Sequence, residues 1–157
     1  MRDLRKLKGL STREWRYLSW AIVMLPLIRG SLAIWSFNSV LTALGKTSPL
    51  PGSLVVQPAS PMPAPTEIRR VVRMVNAAAN RGPVKANCLP RSLTIWWLLR
   101  RQGLDCELRL GVKPRDAAIQ AHAWVEHRGE VLNDDPGIAA RFSAFESVSL
   151  RQGRQGT

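Results

Sequence analysis

At Gly103 the hydrophobic period of the chain changes, and no other feature constrains the fold as tightly. Before it, apolar residues recur at helical spacing. Ile68, Val71, Val72, Val75 and Ala79 form one stripe, with Arg69, Arg70 and Arg73 on the other side; Leu93, Trp96, Trp97 and Leu99 form a second, with Arg100 at a basic edge. After it, Cys106, Leu108, Leu110 and Val112 alternate with Glu107, Arg109 and Gly111, as in a half-buried strand. Helices followed by strands, rather than interleaved with them, predict an α+β domain. The spacing predicts a helix capped by Thr66 and ending near Gly82-Pro83, and another from about Pro90 to Gln102 with Gly103 as its C′ residue. Cys88 then falls at or just before a helix start. Two further strands are expected at about 120–126 and 130–134, joined by a hairpin.

Upstream, Ser11-Thr12-Arg13-Glu14 is a capping-box pattern opening a helix that runs toward Gly30, and a second helical stretch over 31–45 stops at Gly45. Six prolines between 49 and 65 block helix and central strand and favour an extended connector. The expected organisation is therefore a basic helical arm (1–47), a Pro-rich linker (48–65), the main domain (66–146) and a frayed tail (147–157). The uncharged run Leu18–Ile28 is short of the roughly 20 residues a membrane span needs. Extending it past Arg29 would place that cation mid-membrane at about 2.5–3.5 kcal/mol. The expectation is a cytoplasmic protein whose N-terminal hairpin is buried.

The 157 residues hold 23 Lys and Arg against 11 Asp and Glu, a net charge of +12 that predicts attraction to acidic partners or surfaces, peripheral membrane contact by the arm among them. Two cysteines cannot build a disulfide framework.

The chemistry points to the hairpin. A three-residue loop His127-Arg128-Gly129 sets His122 opposite Asp134; a two-residue loop Arg128-Gly129 sets it opposite Asp135. Either way a carboxylate can orient the imidazole, leaving the other ring nitrogen to take a proton from a nucleophile. Cys88 is the natural nucleophile, because a helix N-terminus and a neighbouring imidazolium both favour a thiolate. Cys106, inside the alternating apolar face, reads as core. His127 reads as solvated loop, Trp96 and Trp97 as core, and Trp124 as lining the cleft beside His122. A zinc site from the two cysteines and two histidines is disfavoured, since positions 122 and 127 project to opposite faces of a strand. No metal is expected.

The blocks Asn87-Cys88-Leu89-Pro90-Arg91-Ser92-Leu93, Trp97 to Gly103, Ala121-His122-Ala123-Trp124-Val125-Glu126 and Leu132-Asn133-Asp134 together resemble the transglutaminase-like domain of the lasso-peptide maturation B proteins. The segment before residue 48 looks like the N-terminal part of the stand-alone peptidase form of that family. The resemblance implies a papain-like, transglutaminase-like domain with its catalytic helix packed on a small antiparallel sheet. It implies Cys88 as nucleophile, His122 as base and Asp134 as orienting acid. For the oxyanion, the Cys88 backbone N–H and Asn87 are the candidates. It implies a leader peptidase acting without a cofactor on a ribosomally made precursor peptide. Its partners would be a separate leader-recognition protein, expected because the chain is too short to include that domain, and an asparagine-synthetase-like lactam synthetase. Whether ATP is required is left open.

Two other classes fit parts of the sequence. The same fold can transfer an acyl group to an amine instead of water. A non-enzymatic basic module would account for the charge alone, but nothing here resembles a nucleic-acid-binding motif, and no nucleic-acid partner is expected.

Overall fold

The structure, a computed structural model, describes residues 9–48, 64–82, 86–115 and 118–144. The expected linker lies mostly, and the expected tail wholly, outside the described residues. The order is α1 (Thr12–Ile34), α2 (Phe37–Lys46), α3 (Pro65–Arg81), α4 (Cys88–Arg100), β1 (Glu107–Arg115), β2 (Ala118–His127), β3 (Glu130–Val131), α5 (Ile138–Arg141) and β4 (Ser143–Ala144). The strands form one antiparallel sheet in the order β3-β2-β1-β4, and the three larger helices pack together beside it.

α4 is the axis of this arrangement. Its residues are apolar on all sides, which suits a helix enclosed by other elements. Leu93, Ile95, Trp96, Trp97, Leu98 and Leu99 are all buried, meeting Leu108 and Val125 of the sheet, Val71 and Val75 of α3, and Tyr17, Leu18, Ala21 and Leu25 of α1 in one core. Each large side chain so enclosed contributes about 1.5–3 kcal/mol. Trp96 Nε1 donates to the Cys106 carbonyl at 3.1 Å, tying the helix to the start of the sheet.

Several expectations are corrected. The N-terminal helix does not stop near Gly30. It runs through Pro26 to Ile34, and the break falls at Trp35-Ser36, where both residues are extended and Ser36 caps α2. The Ser11–Glu14 capping box forms as expected. In α3 the cap is Ala64 with Pro65 at the first helical position, so Thr66 lies inside the first turn and caps nothing. α4 begins two residues earlier than Pro90, with Asn87 as its cap. Proline is tolerated there because the first-turn N–H groups have no helical partner.

The arginines of α3 are not all free for a partner. Arg73 and Arg70 pair with Glu14, buried in α1, and Arg70 also with Glu67. The Tyr17 hydroxyl lies 2.8 Å from Glu67 Oε1. Arg100 is buried with its guanidinium 4.9 Å from the Trp96 ring, not on an outer edge. Nor is α1 wholly buried: only 28% of its most apolar window is enclosed, and among the described helices it is the one long and apolar enough to cross a membrane.

Candidate active site

The hairpin register differs from the favoured expectation. Glu126 pairs with Val131 and His127 with Glu130, so the loop has two residues, Arg128 and Gly129, both at positive φ (50° and 81°). That is the backbone of the tight turn whose twist matches paired strands. Carried on, this register would bring Asp135 opposite His122. It is not carried on. Leu132 N–H still bonds the Val125 carbonyl at 2.9 Å, but the next bond to this edge comes from a side chain, with Val125 N–H donating to Asn133 Oδ1 at 2.8 Å. The chain then leaves the ladder, and Asp134 rather than Asp135 reaches His122, with Oδ2 at 2.7 Å from Nε2. Asp135 instead caps the following turn, accepting from Gly137 N–H at 2.9 Å, and pairs with Arg141.

The edge of β2 left bare by β3 is closed by α4. Backbone groups two residues apart on a strand point the same way, so Ala123, like Val125, directs its carbonyl toward that edge. Ser92 Oγ donates to it at 2.9 Å, and Asn133 Nδ2 donates to Ser92 Oγ at 2.9 Å. Two side chains thereby replace strand bonds that a longer β3 would have made, as buried backbone groups require. Ser92 and Asn133 have no role in the sequence reading, although both stand in the blocks that carry the resemblance. A polar pair beside the expected helix start and strand end was the available signal.

This junction positions the candidate residues. Cys88 is the first residue of α4 and is half-buried. Ser92 lies one turn further on the same face and docks at Ala123, the neighbour of His122. Arg91 holds the same helix start to α3, donating to Asn80 Oδ1 at 2.9 Å. Asn87 makes no side-chain capping bond and is exposed beside the first-turn N–H groups of α4.

His122 stands on the opposite face of β2 from Val125. Its ring stacks on Phe142 at 5.2 Å between centroids and lies 6.3 Å from that of Trp124. Trp124 is fully buried, so it backs the histidine instead of lining an open cleft. Its Nε1 donates to Glu126 Oε1 at 2.7 Å, and Arg109 Nε donates to the other oxygen of Glu126 at 2.9 Å. Directly across from His122 in β1 is Gly111. A Cβ there would lie 2.9 Å from Phe142 Cβ and from Trp124 Cη2, so the glycine lets these rings close over the strand beside the histidine.

With Asp134 accepting from Nε2–H, Nδ1 of His122 carries the lone pair and is the nitrogen able to accept a thiol proton. The other cysteine and histidine are occupied elsewhere. Cys106 is 2% exposed, and burial pushes its thiol up to about 12, which suits core packing and not nucleophilic chemistry. His127 is the last residue of β2 and not solvated loop: its Nδ1–H donates to the Asp105 carbonyl, and its Nε2 is buried. Among the described residues no three His, Cys, Asp or Glu side chains are grouped as metal ligands.

The profile of a family described as the transglutaminase-like superfamily matches residues 31–147. The chain is also similar to the microcin J25-processing protein McjB of Escherichia coli, 27% identical over 81 residues that make up 52% of this chain and 38% of that protein. The similarity thus covers well under half of that relative's length. No solved structure matches the chain.

Proposed function

The chain belongs to the transglutaminase-like superfamily, and on that premise we propose that it is a cysteine peptidase that removes the leader from a lasso-peptide precursor. The observation that carries the reading is the 2.7 Å His122–Asp134 bond, held on a strand whose neighbouring residue receives the helix headed by Cys88. The resemblance to lasso-peptide B proteins and the similarity to a microcin-processing protein supply the substrate class.

In this mechanism Asp134 keeps the His122 proton on Nε2, and Nδ1 takes the Cys88 proton. The thiolate attacks the scissile carbonyl carbon, and the first-turn N–H groups of α4, with Asn87 beside them, face the developing oxyanion. Collapse breaks the C–N bond as the imidazolium gives its proton to the departing amine. The resulting thioester is attacked by water, whose proton passes to His122, and release of the acid restores the thiol. The steps as written use groups of the chain and one water. The working setting is the cytoplasm, with a leader-recognition protein presenting the precursor and an asparagine-synthetase-like synthetase consuming the freed core peptide.

The test is cleavage of a cognate precursor, supplied with its recognition protein, by wild type and Cys88→Ala. Wild type yields two fragments whose masses sum to the precursor plus one water, and the variant yields none. Cleavage that survives in Cys88→Ala refutes the reading. A product carrying the acyl group on an added amine assigns the fold to acyl transfer instead.

A further inference from the structure

The inner strip of α1, formed by Tyr17, Leu18, Ala21, Leu25 and Ile28, is committed to the core. Its outer face is also apolar. Trp20, Ile22 and Val23 are each about half-exposed, Leu27 is 54% exposed and Ile34 74%, along a helix of 23 residues that is roughly 34 Å long. Trp15 near one end and Trp35 just past the other are exposed as well. Such a helix is too apolar for water alone.

The face continues inward. A groove of about 640 Å³ opens between α1 and α2, sharing Leu27 and Trp35 with the outer face and reaching Met24, Leu44 and Trp97, with Arg101 at its margin. Arg101 lies over both the Trp97 and Trp20 rings, at 4.8 and 5.6 Å.

The charge on this hairpin has one sign. Between residues 9 and 48 the cations are Arg13, Arg16, Arg29 and Lys46, all exposed, while the sole acid, Glu14, is buried against Arg70 and Arg73. An apolar face with aromatic rings at both ends and exposed cations beside it, of which Arg13 also pairs with Glu67 of α3, is complementary to a surface that is oily within and negative at its boundary.

We infer that the outer face of the α1–α2 hairpin docks on an anionic lipid bilayer. The helix lies in the plane of the surface and does not cross it, because crossing would strip Tyr17, Leu18, Ala21, Leu25 and Ile28 from α3 and α4. Trp97, in the last turn of α4, and Arg101, its C-cap, lie about 13 and 20 Å along the helix from Cys88, so the docked face and the candidate site occupy opposite ends of it. The inference is independent of the proposed peptidase activity.

The test is co-sedimentation of the full chain with vesicles of phosphatidylcholine alone and of phosphatidylcholine with 30% phosphatidylglycerol, in this case roughly matching a cytoplasmic-leaflet charge. Binding at least about tenfold tighter to the anionic vesicles, weakening as salt is raised, is expected. Val23→Asp with Leu27→Asp should lower it at least about tenfold with the circular dichroism unchanged. If that double variant misfolds, Ile34→Asp at the helix end serves, with a smaller loss in the same direction. Cys88→Ala should bind as wild type does. Equal binding to both vesicle types, binding that survives the aspartates, or no binding to either overturns the inference. So does a wild-type dimer that the aspartates convert to monomer, since a second copy would then be the occupant.

Discussion

Asp134 reaches Nε2 of His122 at 2.7 Å from one residue out of step with the strand ladder. The ladder ends because Asn133 turns its side chain, not its backbone, toward β2. Orientation of the histidine therefore depends on where a two-residue strand stops.

Asp134→Asn should lower the rate of leader removal on the order of 10³–10⁴-fold, because an amide can donate to Nε2 and leave the proton on the nitrogen that the thiol needs vacant. The melting temperature should change little, the carboxylate being partly exposed. Single-turnover cleavage alongside thermal melts separates the two effects, and an unchanged rate removes Asp134 from the mechanism.

Ser92→Ala leaves the Ala123 carbonyl and Asn133 Nδ2 without their partner, and Asn133→Ala leaves Val125 N–H unpaired. Each should cost about 1–3 kcal/mol of stability. Because the two side chains touch, the double variant should cost less than the sum. Urea unfolding of the four proteins gives the coupling, and strict additivity would mean that the closure of the β2 edge is not a unit.

Gly111→Val forces a side chain into space held by Phe142 and Trp124. A loss of about 1–3 kcal/mol, or more if the strand shifts, is expected. The near-ultraviolet dichroism of the buried tryptophan should change with it. Wild-type stability in this variant would contradict the close approach across from His122.

Two ionisable groups set opposite pH responses. Burial holds the Cys106 proton in the folded chain, up to about 12, so its contribution is complete below the unfolded thiol pKa of about 8.5 and is lost as pH rises above that value. Iodoacetamide at pH 8 should therefore modify native Cys88→Ala only after unfolding. For Glu67, burial would raise the carboxyl, but hydrogen bonds from Tyr17 and Arg70 and the nearby guanidinium charges hold it below its ordinary value. Its contribution is present above the unfolded carboxyl pKa, about 4.3, and fades as pH falls through the lower folded value. The stability gap between wild type and Glu67→Gln should thus be open at pH 7 and close on strong acidification.

The change of period at Gly103 made the α+β division, α4 and β1 legible, because each carries a long and unambiguous pattern. Cys106 as core could be read from alternation alone. The turn could not: Arg128 adopts positive φ without being glycine, which hid the two-residue loop, and a one-residue change of register moves every cross-strand partner. The His122–Asp134 contact was expected from the wrong register and arises from Asn133 leaving the ladder, a side-chain substitution that propensity does not encode. Gly30 and Arg29 suggested a helix break that tertiary packing overrides. Arg70 and Arg73 read as surface charge because their partner, Glu14, is 56 and 59 positions away in the sequence.

The Tyr17 hydroxyl, 3.2 Å from Gln102 across 85 positions of sequence, has a consequence for synthesis. At about 5–20 residues per second, α1 leaves the ribosome roughly 4–17 seconds before the end of α4 exists to receive it. For all of that interval the inner strip of α1 lacks α4, and until α3 has followed it lacks both of the helices that enclose it in the core. The strip waits for the end of α4, so the nascent chain passes through a stage in which the apolar face that α1 turns to the core is not yet covered by its own fold.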